Sequence, residues 1–213
     1  VTPEIRMLYN PQLKGAPNFV PGVMALILLI VCVMMTAIAI VKEKETGTME
    51  ILLVSPMKPS FVIIAKAVPY FILSMLIVLV ILILSYFLLD LPIKGSLILL
   101  LFVSTIFILT NLLIGILISI FVKTQQQAML ISLIATMLPT LMLSGFMFPI
   151  ENMPIPLQVV SNIIPAKWYY IMIKNIMIKG TGIAIIWKPF LILSGMMMIL
   201  FIIAVKKFKI RLE

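Results

Sequence analysis

Histidine is absent from the 213 residues, cysteine occurs once and acidic side chains number seven. Without histidine the chain lacks the commonest neutral metal ligand and the side chain that most often carries protons near neutral pH. A lone Cys32, set inside an apolar run, excludes a disulfide within the chain. No serine has an imidazole to activate it and no metal-ligand cluster is spelled out, so the sequence contains no catalytic constellation. A phosphate-cradling GxxxxGK[ST] run is missing too, so any nucleotide hydrolysis belongs to another chain.

What the sequence has in excess is apolar surface. Hydrophobic residues make up 63% and charged residues 11%, with a mean hydropathy of +1.29, which no single water-soluble core accommodates. Lipid is the solvent this composition requires. The net charge of +9 does not point to nucleic acid, because the lysines and arginines punctuate the ends of apolar runs instead of gathering on one face. That placement suits membrane interfaces.

Helical spans need about 20 predominantly apolar residues, since backbone groups in hydrocarbon must be hydrogen-bonded within the segment. Five stretches meet or approach this length: residues 19–41, 67–89, 95–122, 128–150 and 183–205. The predicted fold is an all-α membrane protein built on these five helices, occupying residues 19–213, with residues 1–18 read as the end of an external polar domain or its link. Pro21 and Gly22 suit the start of the first span, and Pro69 lies near the entry of the second. Asp90, Pro92, Lys94 and Gly95 form a short turn between the second and third. In the fourth, Pro139 and the run SGFMFP (residues 144–149) predict a kinked or unwound far end. Asn111 and Gly115 interrupt the third span and suit a helix contact or a cavity surface better than lipid.

Residues 151–188 form neither a clean span nor an ordinary loop. Pro154, Pro156 and Pro165 precede WYYIMIKNIMIKG, where a dry crossing would bury Lys174 and Lys179. The pattern predicts two short interfacial or re-entrant helices, with Trp168, Tyr169, Tyr170 and Trp187 as belt residues at the membrane surface. Nine lysines and arginines fall on the side holding residues 42–66, 123–127 and 206–213, against seven opposite. The compact tail KKFKIR directly adjoins a span and places the C-terminus in the cytoplasm.

The densest charge lies in KEKETGTME, Lys42 to Glu50. In a helix its four-residue spacings set one charged face beside Met49, Leu52 and Leu53, a geometry suited to lying along headgroups, and Gly47 permits a bend. A solvated loop that merely joins two spans is the plain alternative.

Together with the apolar run before it, this segment, VPGVMALILLIVCVMMTAIAIVKEKETGTMEILLVSPMKPSFVIIAK, resembles the permease subunits of type 2 ABC exporters, in the branch of bacterial multidrug-type export permeases. Such permeases typically carry six spans, so the five here correspond to the second to sixth; the family's first span and most of its external domain are missing from this sequence, which reads either as a fragment or as a naturally short subunit. The resemblance implies a cytoplasmic coupling helix in which Lys42, Glu43, Lys44, Glu45, Gly47, Thr48 and Glu50 meet an ATPase. It also implies paired short external helices before the last span, where Gly145 to Pro149 and Pro165 to Tyr170 match. Two permeases, identical or different, would sit on two ATP-binding cassette subunits in the cell's inner or cytoplasmic membrane. ATP and Mg would bind those partners, and this chain would hold no cofactor of its own.

The reading from the sequence is therefore a permease that moves a hydrophobic or amphipathic substrate outward, with Asn111, Ser144 and Met147 as candidates for lining the path. Ordinary packing is the competing role for each. An ion-coupled carrier would need acidic groups near the bilayer midplane, whereas the acids here fall outside the spans. A membrane anchor or assembly factor that recruits a soluble protein through Lys42 to Ile51 is the third reading.

Overall fold

The computed structural model describes residues 15–47 and 59–210. Every regular element among them is helical: α1 (Ala16–Glu45), α2 (Pro59–Leu89), α3 (Leu97–Phe121), α4 (Gln125–Ser132), α5 (Leu138–Leu143), α6 (Ile155–Ser161), α7 (Pro165–Lys174) and α8 (Ile183–Ile210). A π-helical turn, Leu133–Met137, fuses α4 and α5 into one bent rod, and among the described residues five helices are long and apolar enough to cross a membrane.

Proline placement explains the irregular rod. Pro139 has no N–H to offer the carbonyl four residues back, and its ring crowds that carbonyl at Ala135, which lies in the middle of the wide π turn. The helix then stops at Leu143, and Gly145 takes a φ of +82°. The expected fourth span, 128–150, is thus shorter at one end and longer at the other.

Its early start at Gln125 has a local cause. Thr124 caps the helix by accepting from the backbone N–H of Gln127 at 3.2 Å, while the Gln127 side chain accepts from the N–H of Lys123 at 3.2 Å.

Two other expectations about proline need correction. Pro21 lies inside α1, which begins at Ala16 with Pro17 in its first turn, and Pro69 lies inside α2, which begins at Pro59. Pro21 is the sixth residue of α1 and Pro69 the eleventh of α2, so each withholds a backbone donor from an interior turn of a continuous helix.

α3 is the centre of the bundle, packed against α1, α2, α7 and α8. Its contact with α1 is close because Gly115 has no side chain: a Cβ there would lie 2.6 Å from the Val33 carbonyl oxygen and 3.0 Å from Thr36 Cβ. Met24, Leu28 and Cys32 of α1, Leu100 and Phe107 of α3 and Tyr169 of α7 belong to one buried cluster. The outer face of α2 is its opposite in character, with Ile72, Leu76, Ile83 and Phe87 all exposed. Without water to drive them inward, such side chains are at home in hydrocarbon.

The turn between α2 and α3 passes through Asp90, whose φ of +47° is in the left-handed region that short polar side chains tolerate. This turn is anchored at one end of the bundle, where the N–H of Lys94 donates to the Met177 carbonyl at 3.2 Å. Ser96 then caps α3.

Candidate coupling face

The charged segment begins differently from its expected form. Lys42 to Glu45 are not the opening of a separate interfacial helix; they are the last turn of α1. Nothing in the sequence interrupts helical hydrogen bonding before Gly47, and two lysines in the final turn complement the negative end of the helix dipole. The N–H of Thr46 donates to the Lys42 carbonyl at 3.0 Å and that of Gly47 to the Lys44 carbonyl at 3.4 Å. Gly47, at φ +72°, then turns the chain away. Thr48 and Glu50 lie outside the described residues.

This last turn ties three other helices to α1. Glu43 forms an ion pair with Lys66 of α2, each about a quarter exposed. The Lys44 ammonium donates to the Ser119 carbonyl, one of the α3 carbonyls left without an intrahelical partner at the helix end. Glu45 reaches α4: Oε1 accepts the backbone N–H of Gln125 at 2.9 Å and Oε2 accepts its side-chain amide at 2.5 Å. A carboxylate there meets both an orphan donor and the positive end of the α4 dipole. Nearby, the Lys207 ammonium of α8 stands 4.7 Å from the centroid of the Phe121 ring, so the end of the last span joins the same face.

Lys66, Ser119 and Gln125 were not among the sequence candidates. The T-x-x-Q pattern at Thr124 to Gln127 was the available signal for the α4 start, and hence for a helix N-terminus able to receive an acid. Nothing local in the sequence marks Ser119, because its contribution is a main-chain carbonyl.

The three candidate path residues are not gathered. Asn111 is fully buried in α3, and its amide donates to the Phe107 carbonyl at 2.8 Å. Ser144 is buried beyond the end of α5, where its hydroxyl accepts the N–H of Phe146 at 3.3 Å. Met147 is exposed. Their depths differ as well: Asn111 lies one turn from Gly115, which meets α1 at Val33, whereas Phe146 sits over Gly22, about three turns away along α1. Asn111 and Ser144 therefore occupy packed positions.

The aromatic trio also divides. Trp168 is half-buried, and its indole donates to the Asn162 carbonyl at 2.9 Å. Tyr169 and Tyr170 are buried, so neither is a belt residue. The Tyr169 ring stacks on Phe107 with centroids 4.0 Å apart and planes 4° from parallel, and its hydroxyl is 2.9 Å from that of Ser104. Phe107 is the eleventh residue of α3, so α7 is inserted into the bundle instead of lying across its end. Beside it, Lys167 donates to Ser161 Oγ at 2.9 Å and Asn162 Oδ1 at 2.7 Å, joining α7 to the end of α6. Burial lowers the Lys167 pKa from its ordinary value.

A family model described as "ABC-2 family transporter protein" matches residues 1–206. Among curated proteins, the probable multidrug ABC transporter permease YbhS of Escherichia coli K12 is 33% identical over 198 residues, covering 92% of this chain and 52% of that protein. The probable multidrug ABC transporter permease YbhR of the same organism is 34% identical over 194 residues, covering 90% and 52%. ABC transporter G family member 20 of Dictyostelium discoideum is 26% identical over 207 residues, covering 96% of this chain and 28% of that protein. The chain spans about half the length of the E. coli relatives it matches. No solved structure matches.

Proposed function

Because this chain belongs to the ABC-2 family of transporter membrane proteins, whose permeases are non-catalytic transport subunits, we propose that it is the span-forming part of an ATP-driven exporter permease. A separate ATP-binding cassette subunit would hydrolyse ATP with Mg, and a second permease, identical or different, would complete the path. The cargo is hydrophobic or amphipathic, in keeping with the multidrug permease names of the E. coli relatives. The inner membrane is the setting, as for the E. coli inner membrane transport permease YhhJ, 34% identical over 217 residues, with the basic end of α8 in the cytoplasm.

One observation carries the mechanical part of this reading: the last turn of α1 holds α2, α3 and α4 through Glu43, Lys44 and Glu45. A soluble partner pressing on the segment from Lys42 to Glu50 would move four helices together, which is what a transmitter of ATP-driven motion requires. Gly47, Thr48 and Glu50 would contribute contacts to that partner, with Gly47 setting the direction in which the chain leaves α1. α7, whose Tyr169 stacks on Phe107, would with α6 form the external element that resists opening. The described carboxylates, Glu43, Glu45, Asp90 and Glu151, all lie at or beyond helix ends, which favours this reading over carboxylate-coupled ion transport.

The test is accumulation of a hydrophobic dye in sealed inside-out vesicles that contain the full-length permease and its ATPase. Uptake that requires both ATP and the ATPase is expected, and substitution of Glu43 and Glu45 together by alanine should lower uptake at least tenfold while hydrolysis persists. Uptake indifferent to ATP, driven instead by an imposed ion gradient, would overturn the proposal.

A further inference from the structure

A pocket of about 570 Å³ opens beside the last turns of α1, within the size range of small-molecule sites. Its apolar wall is Met35, Ile38 and Ala39 of α1 with Tyr70 of α2 opposite, and its rim is Lys42, Glu43, Thr46 and Gln125. The division follows depth. Met35 lies seven residues before Lys42, so the wall extends about 10 Å from the rim along α1. One end of the pocket is oily and the other is ionic.

The rim's polar groups are engaged, with one exception. Glu43 is paired with Lys66, Thr46 Oγ1 donates to the Lys42 carbonyl at 3.0 Å, and the Gln125 amide is held by Glu45. The Lys42 ammonium is exposed and has no hydrogen-bond or ion-pair partner among the described residues. The cations of this turn and its partner, Lys42, Lys44 and Lys66, outnumber the carboxylates Glu43 and Glu45 by one, so the rim carries net positive charge. A cation at the membrane surface, above an apolar slot that runs inward, is complementary to an acyl chain carrying an anionic head.

We infer that this pocket binds one anionic phospholipid, its phosphate on Lys42 and one acyl chain against Met35, Ile38 and Ala39. The site requires only the membrane and this chain, so it stands whether or not the protein transports anything. Its occupancy links lipid headgroup charge to the same turn of α1 that holds α2 and α4. Anionic headgroups attract basic residues near the membrane surface, and loss of one such contact weakens binding roughly fivefold.

The experiment is native mass spectrometry of the full-length permease, titrated with phosphatidylglycerol or phosphatidylcholine of matched acyl chains. Wild type should retain one phosphatidylglycerol at least fivefold more tightly than phosphatidylcholine. Lys42→Gln should abolish that preference, Lys42→Arg should keep it, and Ala39→Trp, which fills the slot, should weaken both lipids. Lys94→Gln, at the opposite end of the bundle, should change nothing. Equal retention of both headgroups, a preference untouched by Lys42→Gln, or displacement of phosphatidylglycerol by inorganic phosphate alone would overturn the assignment. So would loss of a dimer in Ala39→Trp with lipid retention unchanged, since a second copy of the chain would then be the occupant.

Discussion

Glu45 and Gln125, eighty residues apart in sequence, are joined by two hydrogen bonds in which both carboxylate oxygens of the α1 terminus are used on the first residue of α4. Glu43 and Glu45 thus bond to helices of their own chain. The two acids differ in role: Glu43 neutralises a lysine, and Glu45 serves a helix start.

Replacing Glu45 by alanine should free the α4 start. Amide hydrogen exchange over residues 125–128 is expected to accelerate, with little change in α3. Glu45→Gln should lie between, because an amide still offers one acceptor oxygen but no charge to the helix dipole. Unchanged exchange in both variants would refute the capping role.

Glu43 and Lys66 are suited to a double-mutant cycle. Each single reversal, Glu43→Lys or Lys66→Glu, should lower thermal stability in detergent, and the exchanged pair should recover most of it. A coupling of roughly 0.5–1 kcal/mol is expected, modest because both side chains are partly exposed. Additive losses would show that the two residues act separately.

Gly115→Ala tests the approach of α1 and α3. The new methyl group would meet the Val33 main-chain carbonyl, which cannot rotate aside, so the helices must separate. A loss of about 1–3 kcal/mol is expected in equilibrium unfolding, as for other overpacked contacts. Gly195→Ala, where a Cβ would find open space, is the matched control and should be neutral or slightly stabilising.

Tyr169 separates stacking from hydrogen bonding. Tyr169→Phe retains the ring on Phe107 and loses the Ser104 partner, a cost of about 1 kcal/mol. Tyr169→Ala empties a fully buried site and should cost about 3–5 kcal/mol, with faster exchange throughout α7. Equal effects from the two substitutions would deny the ring any special part.

Hydropathy made the number of spans and their approximate positions legible, because the backbone in lipid leaves helices as the economical solution and helices need length. It could not place their ends, which depend on small polar events: the Thr124 cap on the Gln127 N–H, with the Gln127 side chain on the N–H of Lys123, moves the start of the fourth span to Gln125, and Pro139 with Gly145 stops it at Leu143. The charged segment was visible as an unusual patch, yet its inward partners were not, since Lys66, Ser119 and Gln125 are brought to it by the fold alone. Tyr169 and Tyr170 misled for a related reason. Tyrosine is amphipathic, and sequence does not distinguish one that faces headgroups from one whose hydroxyl finds a serine inside the bundle.

At the other end of α1, Gly22 offers the Phe146 ring a notch: a Cβ at that position would fall within 1.8 Å of the ring. Phe19 and Tyr170 flank the same ring with centroids 6.0 and 6.2 Å from it. The thirty residues between Ala16 and Glu45 form a continuous rod about 45 Å long, so its two extremities share one rigid lever. A few degrees of tilt imposed at Glu45 swing Gly22 by an ångström or more, enough to lift it off the aromatic that it seats. A displacement at one end of α1 would therefore reach the other without any side chain in between having to relay it.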